Sequence, residues 1–349
     1  MLILDNLIFR WQKSGGISSV WYELSKRIIE HEKDYLFMDY KNSSNNYFRQ
    51  RLTIPNEKIH ILNDNNFFIK KYLPITCDID YPFIFHSSYY RTCNNKNAIN
   101  IITLHDFTYE YFRTGLSKFI HCMTKYKALR NADYIVCISN NTKKDLMKFL
   151  PDINSKKIKV IYNGVSNLYY SQQVNKEDVL LFVGARDKYK NFDLAVISAA
   201  KANMPLIICG KELTPKEKDF LNLLLPHKYY FKGFVSNEEL NTLYNKAYAL
   251  LYPSSYEGFG IPIIEAQKAG CPVIATNQSS IPEIIGNKEL LINQLSSNDI
   301  IEKLKILKDP FERKHIIELG FKNAQRFSWD TTYYHYKKLY QYIEQTTLG

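Results

Sequence analysis

The sequence predicts an α/β protein of two domains, each built on a parallel sheet, with the sheets facing across a cleft and a last helix closing back toward the first domain. Three observations predict this. Short apolar runs alternate with longer stretches of helical spacing, the pattern of βα units with buried parallel strands. The alternation pauses near residue 168 and then starts again. The chain also has 349 residues, 45% of them hydrophobic, with 27 Tyr and 20 Phe, enough for two cores.

In the first half the strand candidates are Leu2 to Ile8, Tyr35 to Asp39, Ile59 to Leu62, Ile84 to Ser87, Ile99 to Leu104, Tyr134 to Ile138 and Lys159 to Ile161. Helical spacing covers Ser18 to Glu30, Leu116 to Asn131 and Asn140 to Phe149, the last preceded by Ser139, a good N-cap. The polar stretch from Asn167 to Lys176 reads as a linker. Beyond it, strands at Val179 to Gly184, Leu206 to Cys209, Tyr230 to Lys232, Ala249 to Tyr252 and Pro272 to Ala275 alternate with helices. Those helices run from Phe192 to Lys201, Glu217 to Leu224, Asn237 to Lys246 and Pro262 to Ala269. Trp329 to Gln345 is aromatic and basic at helical spacing. The expected domains are therefore 1–168 and 169–330, with 331–349 as a helix packing back on the first.

The formal net charge of +11 is unevenly spread: 24 Lys+Arg against 15 Asp+Glu up to residue 170, and 22 against 20 beyond it. A basic first half suits an acidic partner such as an anionic membrane or a phosphorylated substrate, while no basic run is dense enough to point to nucleic acid. No apolar run approaches the ~18 residues of a membrane span. The opening MLILDNLIF reads as a strand, not a leader peptide. The six cysteines form no CxxC pair, and Cys137, Cys209 and Cys271 lie in apolar segments, which fits buried free thiols and a cytoplasmic protein.

Tyr256 to Gly270, YEGFGIPIIEAQKAG, carries the most chemistry. It follows an apolar strand and opens a helix with Pro262 in the first turn. Gly258 and Gly260 let the backbone turn tightly and approach a ligand. The N–H groups around Phe259 and Ile261 would face an anion. Glu257 stands before the turn and Glu265 one turn inside the helix, and a carboxylate suits a vicinal diol. A plain strand-turn-helix with a capping Glu257 is the structural alternative.

Two glutamates with seven residues between them in EGFGIPIIEA resemble the retaining glycosyltransferases of family 4, which have the GT-B fold of two Rossmann-like domains. The resemblance spans most of the chain, through GGISSVWYEL, LHDFTYEYF, ADYIVCISNNTKKDL, IKVIYNGV, LLFVGARDKYKNFDLAV, FKGFVSNEELNTLY and CPVIATNQSSIPEIIG. It implies a metal-independent transfer of a sugar from a nucleotide-sugar donor to a glycan or lipid-linked glycan acceptor in surface-polysaccharide assembly. GDP- and UDP-sugars both fit, with GDP-mannose placed first. No other cofactor is implied.

The resemblance assigns Glu265 to the ribose hydroxyls, Glu257 to the transferred sugar, and the backbone of Gly258 to Ile261 to the diphosphate and sugar. Arg186 and Lys190 resemble the pair that grips the diphosphate, where fixed cations stabilise the leaving group, with Lys188 between them as an exposed bystander. Phe234 and Val235 would meet the base. Gly15 and Gly16 would form a loop against the diphosphate, and His105 would position the transferred sugar. Asp106 could orient His105, meet the acceptor or cap the next segment, and Glu283 could orient a donor loop. Ser139 reads as a cap. Asp78-Ile79-Asp80 reads as a chance DxD, and no metal cluster is expected.

Acceptor loops are expected at Lys41 to Gln50 and Asn63 to Lys71. The basic, apolar stretch from Phe112 to Arg130 suits either a membrane surface, with peripheral attachment to its inner face, or ordinary packing on its own sheet. The sequence departs from the family at NKELLINQL after Gly286 and at GARDKYKN after Val183. A sugar-nucleotide epimerase of the same architecture and a non-catalytic sugar-nucleotide binder are the rival readings.

Overall fold

A computed structural model describes residues 1–63, 67 and 71–348. The chain forms two compact units, one of Met1–Asn163 with Trp329–Gly349 and one of Gly164–Ser328.

The first unit opens with β1 (Leu2–Asp5), α1 (Leu7–Trp11), α2 (Gly16–His31), β2 (Tyr35–Tyr40), β3 (Ile59–Leu62), β4 (Phe83–Ser87) and β5 (Ala98–Leu104). It continues with α3 (Thr108–Phe112), α4 (Gly115–Asn131), β6 (Tyr134–Cys137), α5 (Asn140–Phe149) and β7 (Ile158–Val160). The strands form one parallel sheet in the order β3-β2-β1-β4-β5-β6-β7. The inner strands are buried along their length, as expected for a sheet covered on both faces. Ser139 caps α5 by accepting from the Thr142 N–H at 3.0 Å.

The second unit holds β8 (Leu180–Val183), α6 (Phe192–Ala202), β9 (Leu206–Cys209), α7 (Pro215–Leu224), β10 (Tyr229–Gly233), α8 (Asn237–Lys246) and β11 (Ala249–Tyr252). After these come α9 (Ile261–Lys268), β12 (Val273–Thr276), α10 (Ile281–Ile285), β13 (Leu291–Ile292), α11 (Ser297–Ile306) and α12 (Pro310–Ala324). Its parallel sheet runs β10-β9-β8-β11-β12-β13. Both α7 and α8 begin with a capping box, Thr214 with Glu217 and Ser236 with Glu239.

The last helix, α13 (Trp329–Ile343), belongs to the first unit. Its Tyr333, Tyr336, Leu339, Tyr340 and Ile343 join the cluster around Leu4, Ile84 and Val136. His86 stands between the Tyr340 hydroxyl at 2.7 Å and Thr103 Oγ1 at 2.9 Å. Burial, helped by His105, pushes its imidazole down to about 3, so it is held neutral.

One expected strand is corrected. Leu2 to Ile8 does not continue as a strand, because the chain leaves the sheet at Asn6 and turns into α1. Asn6 Oδ1 accepts from the Trp21 indole at 2.7 Å and Ser88 Oγ accepts the Ile8 N–H at 2.9 Å, which fixes that exit. Of the expected acceptor loops, Lys41 to Gln50 is tied down by Asn46, which donates to the Gln12 carbonyl at 2.7 Å. In Asn63 to Lys71, residues 64–66 and 68–70 lie outside the described residues.

Candidate active site

The loop between β11 and α9 is built as a rigid cradle. Gly260 precedes the helix with φ 112° and ψ 50°, a conformation that strains any residue with a Cβ. The side chain of Phe259 is buried edge-on against Phe327, with ring centroids 5.8 Å apart. Ser280, fully buried, donates to the Glu257 carbonyl at 2.9 Å or the Phe259 carbonyl at 2.8 Å. Ser279 Oγ accepts the Glu257 N–H at 2.9 Å and lies 2.5 Å from the Glu257 carbonyl. From the other side, Asn191 Nδ2 reaches the Pro253 carbonyl at 2.7 Å and Ser255 Oγ at 2.8 Å. The loops after β8 and β12 therefore clamp the loop after β11. In the first turn of α9 Pro262 has no N–H and the Ile263 N–H donates to the Gly260 carbonyl at 3.0 Å, so it is chiefly the helix dipole that favours an anion there.

Two carboxylates frame this turn in different surroundings. Glu257 Oε1 pairs with Lys190 Nζ at 2.5 Å, with both side chains largely buried. Tyr252 lies beneath them, its hydroxyl pushed well above the usual range by burial and by Glu257. Glu265 has no ion-pair partner among the described residues. It accepts from the Tyr244 hydroxyl at 3.1 Å, and burial pushes its carboxyl up to about 7 against the downward pull of Tyr244 and Tyr169.

Arg186 and Lys190 have separate ion-pair partners, Glu217 and Glu257. Arg186 Nε pairs with Glu217 Oε1 at 2.7 Å, and its Nη2 donates at 2.7 Å to the carbonyls of Lys211 and Glu212. Its Nη1 is buried without a hydrogen-bond partner among the described residues, 3.7 Å from where a Cβ on Gly210 would stand. Such a Cβ would also lie 2.4 Å from the Gly184 carbonyl oxygen, so only glycine fits at Gly210. Lys188 is exposed.

Phe234 follows β10 with 77% of its surface exposed, and Val235 beside it is half-buried. Glu283 sits in the first turn of α10, where its N–H reaches the Ser280 carbonyl at 3.2 Å. Gly258 and Ile261 lie half-buried within the cradle.

The remaining expected residues belong to the first unit. His105, at the carboxyl end of β5, is 6% exposed, and burial pushes its imidazole down to about 4 against the pull of Asp106. It is therefore neutral near pH 7, suited to hydrogen bonding and not to carrying a charge. Asp106 Oδ1 accepts the Thr108 N–H at 2.9 Å, so it caps the segment leading into α3. Gly15 is the N-cap of α2, where an added Cβ would sit 2.6 Å from the tip of Gln12. At Gly16 an added Cβ would meet nothing within 4 Å.

Comparison with known proteins follows the same division. Residues 14–167 match the family described as Glycosyltransferase Family 4, and residues 170–323 match Glycosyl transferases group 1. The chain belongs to glycosyltransferase family 4. It is similar to the O-antigen chain mannosyltransferase RfbU of Salmonella typhimurium, at 30% identity over 64% of this chain and 67% of that one. It is also similar to an uncharacterised glycosyltransferase, MJ1178, of Methanocaldococcus jannaschii, at 32% identity over 71% and 70%. The chain thus spans about two thirds of these relatives. Sucrose-phosphate synthase of Thermosynechococcus elongatus superposes with a TM-score of 0.76 at 18% identity, covering 99% of both chains, which shows a common GT-B fold.

Sequence reasoning missed Asn191, Ser279 and Ser280, which hold the cradle, and Tyr244 and Tyr169, which surround Glu265. A serine pair in a loop has no distinguishing spacing. The one available signal was Asn191, a residue that tolerates the left-handed conformation it adopts here at φ 51°.

Proposed function

We propose that this chain is a retaining glycosyltransferase that moves a sugar from a nucleoside-diphosphate sugar to a glycan or lipid-linked glycan in surface-polysaccharide assembly, with GDP-mannose the first donor to test. The clamped turn before α9, with Lys190 and Glu257 on one side and Glu265 on the other, carries this reading. The relatives' mannosyl transfer to O-antigen supports the choice of sugar and product.

In this reading the diphosphate lies on the first turn of α9. Glu265, when ionised, accepts from the ribose diol, and Glu257 accepts from a sugar hydroxyl once Lys190 turns to the phosphate. As the glycosidic bond breaks, charge builds on the leaving diphosphate, and Lys190 with the helix N-terminus stabilises it without a metal. Arg186 contributes through its unpartnered Nη1, since a buried donor without an acceptor costs about 1–3 kcal/mol. Phe234, exposed beside Val235, faces the base. His105 and Asp106 serve the sugar-transfer side in the first unit.

Acceptor handling also favours a membrane surface. Leu116, Phe119 and Met123 of α4 are 72%, 62% and 55% exposed, an apolar row near the exposed Arg113 and Lys127. No helix among the described residues is long and apolar enough to cross a membrane. Co-sedimentation with anionic vesicles at low salt, abolished by Phe119→Asp, is the expected result. Equal sedimentation of variant and wild type would rule out this face.

The function itself is tested by following nucleoside-diphosphate release from GDP-mannose and UDP-sugars. Release that depends on added acceptor and survives EDTA supports the proposal. A new sugar nucleotide formed without acceptor would instead support an epimerase, and tight binding without turnover a non-catalytic binder.

A further inference from the structure

Two of the six cysteines occupy a different setting from the other four. Cys137 and Cys209 end β6 and β9, Cys122 lies in α4, and Cys271 stands just before β12. Cys77 and Cys93 instead lie on the irregular segments that enter and leave β4, and their Sγ atoms are 3.4 Å apart.

The backbone builds this meeting. The two segments pair in parallel at Ile75 and Cys93. The Ile75 N–H donates to the Thr92 carbonyl at 2.9 Å, and the Asn94 N–H donates to the Ile75 carbonyl at 2.8 Å. Asn100 of β5 holds Cys93 at both polar groups, accepting its N–H at 2.7 Å and donating to its carbonyl at 3.2 Å. Asn95 Nδ2 donates to the carbonyls of Cys77 at 2.8 Å and Ile79 at 2.7 Å. Ile3, Met38, Phe83 and Phe85 pack around both side chains. Fixed backbones and an apolar wall thus keep the two sulfurs face to face.

The thiols are unequal. Their shared hydrogen bond pulls Cys93 down to about 6 against burial, with the Asn95 N–H and the Arg91 charge adding to the pull. The same bond, with burial, pushes Cys77 up. Cys93 is therefore the thiolate and Cys77 the proton holder, the division a dithiol needs to react with an oxidant. Both are 4% exposed, so the oxidant must be small, and irregular segments open locally at lower cost than sheet strands.

We propose that Cys77 and Cys93 form an oxidation site, where hydrogen peroxide joins them in a disulfide that latches the segment leaving β4 to the segment entering it. The Cys93 thiolate attacks one peroxide oxygen, the O–O bond breaks, and Cys93 becomes a sulfenic acid. The departing hydroxide takes up the proton that Cys93 lost on ionising. The Cys77 sulfur then attacks the sulfenic sulfur, the S–OH bond breaks, and that hydroxide leaves as water with the Cys77 proton. The two thiols lose two electrons, and one peroxide becomes two waters. A dithiol reductant reverses the link. The latch closes beside Arg91, which holds the buried Asp5 of β1 at 2.6 Å.

Peptide mapping reads the site directly, because trypsin cuts at Arg91 and Lys96 and places the two cysteines in separate peptides. The full chain is reduced, freed of reductant, treated with a small molar excess of hydrogen peroxide and alkylated in denaturant. The expected product carries Cys77 joined to Cys93 and is lighter by two hydrogens. Its other four cysteines are alkylated, and dithiothreitol restores the starting mass. The oxidised chain should melt about 5 °C above the reduced one. Cys77→Ser, confirmed folded by its melting curve, should leave a sulfenic acid on Cys93 that dimedone traps, while Cys93→Ser should give no dimedone adduct at Cys77. Cross-links spread among the other cysteines, or a wild-type Cys93 oxidised to sulfinic acid without joining Cys77, overturn the assignment. So do two thiols that both remain open to alkylation after peroxide, and a linked chain that melts no higher than the reduced one.

Discussion

The carboxyl ends of β11 in the second unit and of β4 and β5 in the first occupy equivalent places in two parallel sheets, yet they carry opposite chemistry. After β11 stand Glu257 paired with Lys190, Glu265 hydrogen-bonded to Tyr244, and the N-terminus of α9. After β4 and β5 stand Tyr89, Tyr90, His105, Tyr109 and His121, with both imidazoles pushed down to about 4 by burial. One end offers fixed charge and dipole, which suit a diphosphate. The other offers neutral rings and hydroxyls, which suit a sugar. The shared architecture offers a place for a ligand at each end, and the loop residues determine which ligand chemistry would suit it.

Removing the cation should break this contrast most strongly. Lys190→Ala is expected to lower kcat by about 10²-fold or more, because the leaving diphosphate loses a preorganised charge. An unchanged kcat in an acceptor-dependent release assay would sever Lys190 from the chemistry.

Glu265→Gln should act next, and through pH. In the folded chain Glu265 keeps its proton up to about 7, against 4.5 unfolded, so the folded state binds more protons between those values and loses stability as pH rises through them. The variant lacks that loss and should melt higher than wild type at pH 8 but not at pH 4. Nucleotide binding should show the opposite trend. Wild-type affinity should climb as pH passes through about 7, because the ionised carboxylate is the diol acceptor. The glutamine variant should bind about tenfold more weakly at pH 8, with no such rise. Parallel pH curves for the two proteins would contradict the assignment.

The smallest effect sharpens the rigid-cradle argument. Ser280→Ala deprives the Glu257 and Phe259 carbonyls of a buried donor, which should cost about 1–3 kcal/mol and lower Tm by several degrees. Donor affinity should fall only a few-fold, since the variant alters the support and not the contacts.

The α/β alternation was readable because parallel strands buried on both faces appear as continuous apolar runs, as in LLFV and ALLY. The same feature misled at the N-terminus. In LILDNLIFRW an apolar run does not distinguish strand from helix, and the break at Asn6 depends on partners at Trp21 and Ser88. The two-residue β13 is too short to register. At the candidate site, glycine spacing and Pro262 marked the strand-turn-helix, but the surroundings of its carboxylates are tertiary. Lys190 meets Glu257 across 67 positions, and Arg186 turns to Glu217 across 31. No local pattern encodes such pairings, and none anticipates the raised proton affinity of Glu265, which burial creates.

The central claim is that the turn before α9 holds a nucleoside diphosphate with Glu265 on its ribose diol. Calorimetric titration at pH 8 of wild type and Glu265→Gln, each with GDP and with 2′,3′-dideoxy-GDP, tests it most directly. The account predicts that wild type prefers the intact ribose by about tenfold or more and that the variant largely loses this preference. An equal preference in both proteins, or none in wild type, would contradict it.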